Sequence, residues 1–329
     1  MIGTDWPNKL SAAAHLLYRS ADSHNRVSER LRGKVAIVTG ASQGLGQHIA
    51  LQLAAEGAHV VLAARSMQRL NAIQAQIATA GDTARAVAVD LANEEDCGRL
   101  IDTTVAAFGG IDILVLNAGQ ATHGRLEELE SFDPITAAMR VNFFGAAYPT
   151  YLALQHLVAA RGVIAYVTSG AGHLPMAGYL GYTTSKHAMN GFFEALRLEL
   201  YPRGVHVLTI NPGDMYSDDG AGRTVIGANG AEVKVDLSVQ RLNDIPRVAA
   251  STVATQCVDA IVDRRREVDA SPLIQKIGTR IRPLLPTLID QRIYAKTRTM
   301  RTAFNDVAEL HAVSAQPAAN PPHNQPDEP

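Results

Sequence analysis

From Lys34 onward the chain alternates between short apolar runs and segments of helix length, and this rhythm constrains the fold more than any other feature. Six runs stand out: VAIVTG (35–40), HVVLAA (59–64), ARAVAVD (84–90), IDILVLNAG (111–119), GVIAYVTSG (162–170) and VHVLTINPG (205–213). Each is rich in Val, Ile, Leu or Ala without strict polar alternation, as strands buried on both faces of a parallel sheet require. The segments between them, 44–57, 66–80, 93–108, 131–160 and 181–201, are long enough for crossover helices. Right-handed crossovers then give a Rossmann-like, doubly wound α/β sheet with helices on both faces. After a helical stretch at 246–265, REVDA (266–270) supplies a seventh strand.

Composition narrows the function. A formal charge of −2 argues against a nucleic-acid partner for the chain as a whole. Two cysteines far apart in sequence, Cys97 and Cys257, exclude a disulfide scaffold and read as buried small apolar residues. The eleven His are scattered without ligand spacing, so no metal site is expected. No apolar run approaches the length of a membrane span, which predicts a soluble, cytoplasmic protein.

The turn after the first strand reads Thr39-Gly40-Ala41-Ser42-Gln43-Gly44-Leu45-Gly46 and leads into a helix. Glycines in such a turn let the backbone approach a pyrophosphate, whose charge a helix N-terminus favours. The second strand ends in Ala63-Ala64-Arg65-Ser66. An acid there would take the ribose hydroxyls of NAD; Arg65 instead suits the 2′-phosphate of NADP, so NADP(H) is expected over NAD(H). Tyr182-Thr183-Thr184-Ser185-Lys186 opens a helix with the phenol and the ammonium one turn apart on the same face. A cation so placed favours phenolate and suits Tyr182 to proton transfer. Ser169, at the end of the fifth strand, can reach the same substrate oxygen from the edge of the sheet.

These residues, in this order and spacing, resemble the short-chain dehydrogenase/reductase family over roughly 33–270. Asp90 after the third strand, Asn117-Ala118-Gly119 after the fourth, Asn142 and Asn211-Pro212-Gly213 extend the likeness. The resemblance implies an NAD(P)-dependent oxidoreductase acting on CH–OH groups. Gly40, Gly44 and Gly46, with Ser42, Gln43 and Leu45 between them, would line the pyrophosphate. Asp90 and Leu91 would meet the adenine, and Asn117, Ala118 and Gly119 would support the cofactor site. Pro212, Gly213 and Ser217 would border the nicotinamide, Ser217 standing where the family usually has Thr. Tyr182 would be the general acid or base, with Ser169 bonding the substrate carbonyl. Lys186 would hold the nicotinamide ribose and lower the phenol pKa, and Asn142 would hold a water relaying protons to Lys186.

Substrate identity is expected in the less regular regions. Residues 33–270 read as the catalytic domain, within which a glycine-rich segment, 214–244, reads as a mobile lid. His173, Tyr179 and Met215 are candidates for the cleft. Residues 264–301 hold ten Lys or Arg against three acids, interleaved with apolar side chains. Within them, 272–301 reads as an amphipathic helical pair broken by Pro283 and Pro286, packing on the domain or on a second copy. Peripheral contact with an anionic membrane and a basic rim for an anionic substrate are the other readings. A hydrophobic, lipid-like or sterol-like ketone is expected, with reduction of a 3-oxoacyl thioester as the alternative. A non-catalytic NADP-sensing or scaffold protein is the alternative of another class. A homodimer or homotetramer through the 131–160 and 181–201 helices is expected. Residues 1–32 read as an N-terminal extension, 271–312 as a basic C-terminal extension and 313–329 as a disordered tail.

Overall fold

The computed structural model describes residues 29–216, 223–235 and 247–295. Ser217, parts of the expected lid, most of the N-terminal extension and the tail lie outside the described residues. The seven predicted strands form one parallel sheet: β1 (Val35–Thr39), β2 (His59–Ala64), β3 (Ala84–Ala88), β4 (Ile113–Leu116), β5 (Val163–Val167), β6 (His206–Asn211) and β7 (Glu267–Asp269). Their order is β7-β6-β5-β4-β1-β2-β3. The chain winds outward from β1 to β3, returns to the centre at β4 and winds the other way. A crevice therefore opens beyond the carboxyl ends of β1 and β4, where such sheets bind ligands.

The helices are α1 (Gly44–Ala55), α2 (Met67–Thr79), α3 (Glu94–Phe108), α4 (Asp133–Ala138), α5 (Gly145–Ala160), α6 (Leu180–Leu200), α7 (Ala250–Val262) and α8 (Leu273–Ile281). Helix α3 shows why they start and stop where they do. Asn93 Oδ1 caps the Asp96 N–H at 3.1 Å, and Glu94, Glu95 and Asp96 complement the positive end of the helix dipole. The helix stops at Gly109, whose φ of 83° is left-handed.

Alternate residues of the central strands serve the two faces. Ala36, Val38, Val60 and Leu62 pack with α1, α2 and α7, whereas Ile37, Val61, Ile164 and Tyr166 pack with α3, α5 and α6. Both faces are dry, which is why the strands carry no polar alternation. Cys97 and Cys257 are fully buried, and burial pushes each thiol up to about 12. At the N-terminal edge, Leu31 is buried in the core while Arg30 pairs with Glu56 and Asp259.

Two features depart from the sequence pattern. The continuous 131–160 helix is divided: α4 passes into a π-helical stretch, Met139–Phe144, before α5 begins. Part of the expected lid is ordered as a hairpin, with Arg223–Ile226 antiparallel to Glu232–Val235. It turns at Asn229-Gly230, where Gly230 has a φ of 76°, and Arg223–Ile226 also pairs in parallel with Ala121–Thr122. Asn-Gly between β-branched runs is a hairpin signal, and here it outweighs the glycine content.

Phe193 on α6 is fully buried and stacks on Tyr166, ring centroids 4.4 Å apart. Replacement by Ala removes that stack from the centre of one core face. Phe193→Ala is expected to cost about 3–5 kcal/mol in urea unfolding, and Phe193→Leu clearly less.

Candidate active site

The turn after β1 is tied to the end of β4. Thr39 Oγ1 accepts hydrogen bonds from the Asn117 N–H (3.0 Å) and the Ala118 N–H (3.2 Å) and donates to the Val115 carbonyl (3.2 Å). Asn117 Nδ2 donates to the carbonyls of Thr39 (3.1 Å) and Gly40 (3.2 Å). This contact explains two of the glycines. A Cβ at Gly46 would stand 2.4 Å from Asn117 Nδ2 and from the Gly40 oxygen, and one at Gly40 would stand 2.9 Å from Ala118 Cα. Gly44 differs: its φ is +57° and nothing lies within 4 Å of where its Cβ would be. The open side of the turn is therefore on the solvent flank, beside the first turn of α1. Gln43 makes no side-chain cap there, so the amides of that turn keep their affinity for an anion. These residues fit a dinucleotide pyrophosphate.

The predicted cofactor residues at the strand ends share this edge. Arg65 is exposed just beyond β2 and has no hydrogen bond or ion pair among the described residues. One turn later Arg69 donates to Gln43 Oε1, bringing a second guanidinium to the glycine turn. Asp90 is exposed beyond β3, and Asp90 Oδ1 accepts from the Ala92 N–H at 3.1 Å. The Asp90 N–H donates to Asp96, the leading cause of that carboxyl lying below its usual range. Leu91 is buried, in contact range of Gly145. Ser42 is half-buried and Leu45 buried within the turn and first helical turn. Beyond β6, Pro212 is buried and Gly213 has a φ of 65°, with Ser271 Cα 2.8 Å from where its Cβ would be.

On the other side of β4, three elements converge. Ser169 follows β5, and its Oγ accepts from the Ala171 N–H at 3.2 Å. Tyr182 lies in the first turn of α6, anchored by its N–H to Thr122 Oγ1 at 3.1 Å. Lys186, 3% exposed, places Nζ 5.8 Å from the centre of the Tyr182 ring and donates to the Val167 carbonyl at 2.8 Å. Asn142 is fully buried in the π-helical stretch. Its Oδ1 accepts from the Gln120 N–H (2.7 Å), and its Nδ2 donates to the Gln120 carbonyl (3.0 Å) and to Ser185 Oγ (2.8 Å). Ser185 Oγ in turn donates to the Tyr182 carbonyl at 2.8 Å. A widened helical turn of this kind commonly marks a functional site. A Cβ at Gly119 would lie 3.4 Å from Asn142 Oδ1 and 3.5 Å from Lys186 Nζ, so Gly119 joins the two halves of the site.

Ser169 and Tyr182 face a cavity of about 550 Å³, lined mainly by apolar side chains. Tyr179, Gly213 and Asp214 also line it. The other two substrate candidates lie elsewhere. The His173 ring sits 3.4 Å from Asn190 Nδ2, and Met215 belongs to a short strand paired with Val248–Ala249 and packs on the core. The far wall comes from α8 and a second short helix, 286–295, through Ile274, Ile277, Leu288 and Ile293. Gln275 packs so close to Gly170 that a Cβ there would meet Gln275 Nε2 at 1.8 Å. Sequence reasoning quoted Thr39 and Ser185 within their motifs without giving them a role, and passed over Arg69 and Gln275. The first three have local signals: Thr precedes the first glycine, Arg69 is one turn beyond Arg65, and Ser185 adjoins Lys186. Gln275 has none.

Known proteins share this fold. The family profile described as short chain dehydrogenase matches residues 34–223. The chain is 33% identical over 265 residues to 11-beta-hydroxysteroid dehydrogenase 1A of Arabidopsis thaliana, covering 80% of this chain and 75% of that one. A short chain dehydrogenase from Burkholderia cenocepacia, solved in complex with NADP, is 31% identical with a TM-score of 0.63, over 74% of this chain and 98% of that one. A metagenomic short-chain oxidoreductase in complex with NADP is 28% identical with a TM-score of 0.59, over 74% and 99%. With fold, glycine turn and family match in agreement, the chain belongs to the short-chain dehydrogenase family and is an oxidoreductase acting on CH–OH groups.

Proposed function

We propose that the chain is an NADP-dependent oxidoreductase interconverting a hydrophobic ketone and its secondary alcohol, with Tyr182 as the proton donor and acceptor. The observation that carries this reading is that Ser169 and Tyr182 open onto one apolar cavity while Lys186 lies buried behind the Tyr182 ring. Steroid-named relatives and the apolar lining support a bulky, lipid-like or sterol-like substrate.

When bound, the cofactor supplies or accepts the hydride. Gly40, Gly44 and Gly46 and the first turn of α1 would hold its pyrophosphate, and Asp90 with Leu91 its adenine end. Arg65 would pair with a 2′-phosphate, which the NADP held by two similar structures supports. In reduction Tyr182 gives its phenolic proton to the substrate oxygen; in oxidation it takes that proton back. Ser169 Oγ donates a hydrogen bond to the same oxygen and stabilises the charge that develops on it. The Lys186 ammonium favours the phenolate form of Tyr182. Asn142 fixes the first turn of α6 through Ser185. Its Oδ1 keeps an acceptor lone pair beyond the Gln120 N–H for a water that passes protons toward Lys186. Two copies would pair through α5 and α6, whose Tyr151 and Leu198 are 72% and 75% exposed.

Three measurements test this reading. Following nicotinamide fluorescence, NADPH is expected to bind more tightly than NADH, and Arg65→Ala to weaken NADPH by about 10- to 100-fold, as loss of a charge-assisted hydrogen bond predicts. Equal affinity of the wild type for both cofactors would overturn the assignment of Arg65. Tyr182→Phe is expected to lower kcat on an apolar ketone by about 10²–10⁴-fold while NADPH affinity holds; unchanged turnover would remove Tyr182 from the reaction. Light scattering on the purified protein is expected to give the mass of a dimer or tetramer, and Tyr151→Arg with Leu198→Arg that of a monomer.

A further inference from the structure

We propose that α8 and the helix 286–295 form a docking face for an anionic lipid bilayer, and that the cavity receives its apolar substrate from that bilayer. The second half of this statement rests on the hydrophobic-ketone reading; the first does not.

The face is unusually apolar for a surface. Leu273, Ile274 and Leu284 are 71%, 78% and 80% exposed, and Leu285, Leu288 and Tyr294 are about half exposed. Contiguous patches of this kind mark interaction sites. At the helical pitch, Leu273, Ile277, Ile281 and Ile274 fall within an arc of about 100° on α8, and Lys276 and Arg280 flank it. That is the layout of a helix lying in a membrane interface. No helix among the described residues is long and apolar enough to cross a membrane, so the contact would be with the surface.

Charge selects the occupant. The one acid in the pair, Asp290, is engaged by Arg282 at 2.8 Å. Lys276, Arg280 and Arg292 have no acidic partner among the described residues. A second copy meeting this face across a two-fold axis would bring two such sets of cations into one interface with no acid to pair them, which disfavours that occupant. An anionic headgroup layer instead offers negative charge around an apolar interior, the complement of both features.

Location gives the face a purpose. Ile274, Ile277 and Leu288 are exposed and line the cavity that reaches Ser169 and Tyr182, so the cavity wall is continuous along these helices with exposed Leu273 and Leu284. An apolar ligand dissolved in the bilayer would pass between these side chains without crossing water.

The test is flotation of the full chain with vesicles of phosphatidylcholine alone or mixed with phosphatidylserine. Wild type is expected to float with the mixed vesicles and to be released by high salt. The double variant Leu273→Glu, Leu284→Glu is expected to lose binding about tenfold or more, and Lys276→Glu, Arg280→Glu to lose the preference for phosphatidylserine. None of these four residues lines the cavity, so thermal unfolding and turnover of a small water-soluble ketone are expected to match wild type. An apolar ketone supplied within the vesicles is expected to be turned over faster by wild type than by the Leu273, Leu284 variant. Absence of wild-type binding, or binding indifferent to these substitutions, would overturn the docking face. A concentration-dependent oligomer that the Leu273, Leu284 variant abolishes without vesicles would assign the face to a second copy. Vesicle binding with no turnover of either ketone would leave the docking face standing and overturn the reductase reading instead. Equal turnover of the bilayer-held ketone by wild type and variant would overturn delivery from the bilayer.

Discussion

The site depends on the hydrogen bonds that join the end of β4 to the turn after β1. Asn117 and Ala118 donate four of them to Thr39 and Gly40, across the two strands where the winding of the sheet reverses. They set the distance between the glycine turn and the β4 exit so tightly that neither Gly40 nor Gly46 has room for a side chain. From Asn117 the chain needs only three residues to reach Gln120, whose backbone takes both ends of the Asn142 amide. Asn142 bonds Ser185, and Ser185 bonds the carbonyl of Tyr182. Polar contacts joined by that short stretch of chain thus run from the turn suited to phosphate to the backbone of Tyr182.

Such a path works as a positioning device because its members are buried and satisfied. Thr39, Asn142, Ser185 and Lys186 are each at most 3% exposed, and each has partners. An unpaired polar group at that depth costs about 1–3 kcal/mol, and a bare ammonium more, so alternative rotamers are disfavoured by the loss of these bonds. The groups expected to meet solvent-borne charge are treated differently. Arg65 and Asp90 stand exposed at strand ends, free to trade water for a ligand.

Legibility in the sequence followed the same division. The strands could be read because burial on both faces leaves long apolar runs, and the β1 turn, Ser169, Tyr182 and Lys186 sit at fixed offsets from those runs. The π-helical stretch at Met139–Phe144 could not be read, since apolar spacing continues through it and the distortion is set by the tertiary bonds of Asn142. The hairpin at Asn229-Gly230 was legible in principle but masked by the surrounding glycines. His173 and Met215 are not among the residues that line the cavity: His173 follows the 3₁₀ turn at Gly170–Gly172, and Met215 pairs with Val248. The far wall was the least readable part. Helix α8 carries apolar residues toward both the cavity and the surface, so its pattern does not say which side packs.

That ambiguity reflects how the wall is built. Helix α6, which carries Tyr182 and Lys186, buries seven residues, whereas α8 buries none. Local stability tracks buried contacts, so α8 is expected to open at lower cost than α6. Catalytic geometry is therefore invested in elements locked by the core, and access to it in elements held mainly at one edge, through contacts such as Gln275 against Gly170. The bonds to Thr122, Ser185 and Val167 that hold Tyr182 and Lys186 do not involve that wall. Attachment at one edge also explains how an apolar face can remain exposed here, because side chains that served to hold the wall shut would have to be buried against the domain.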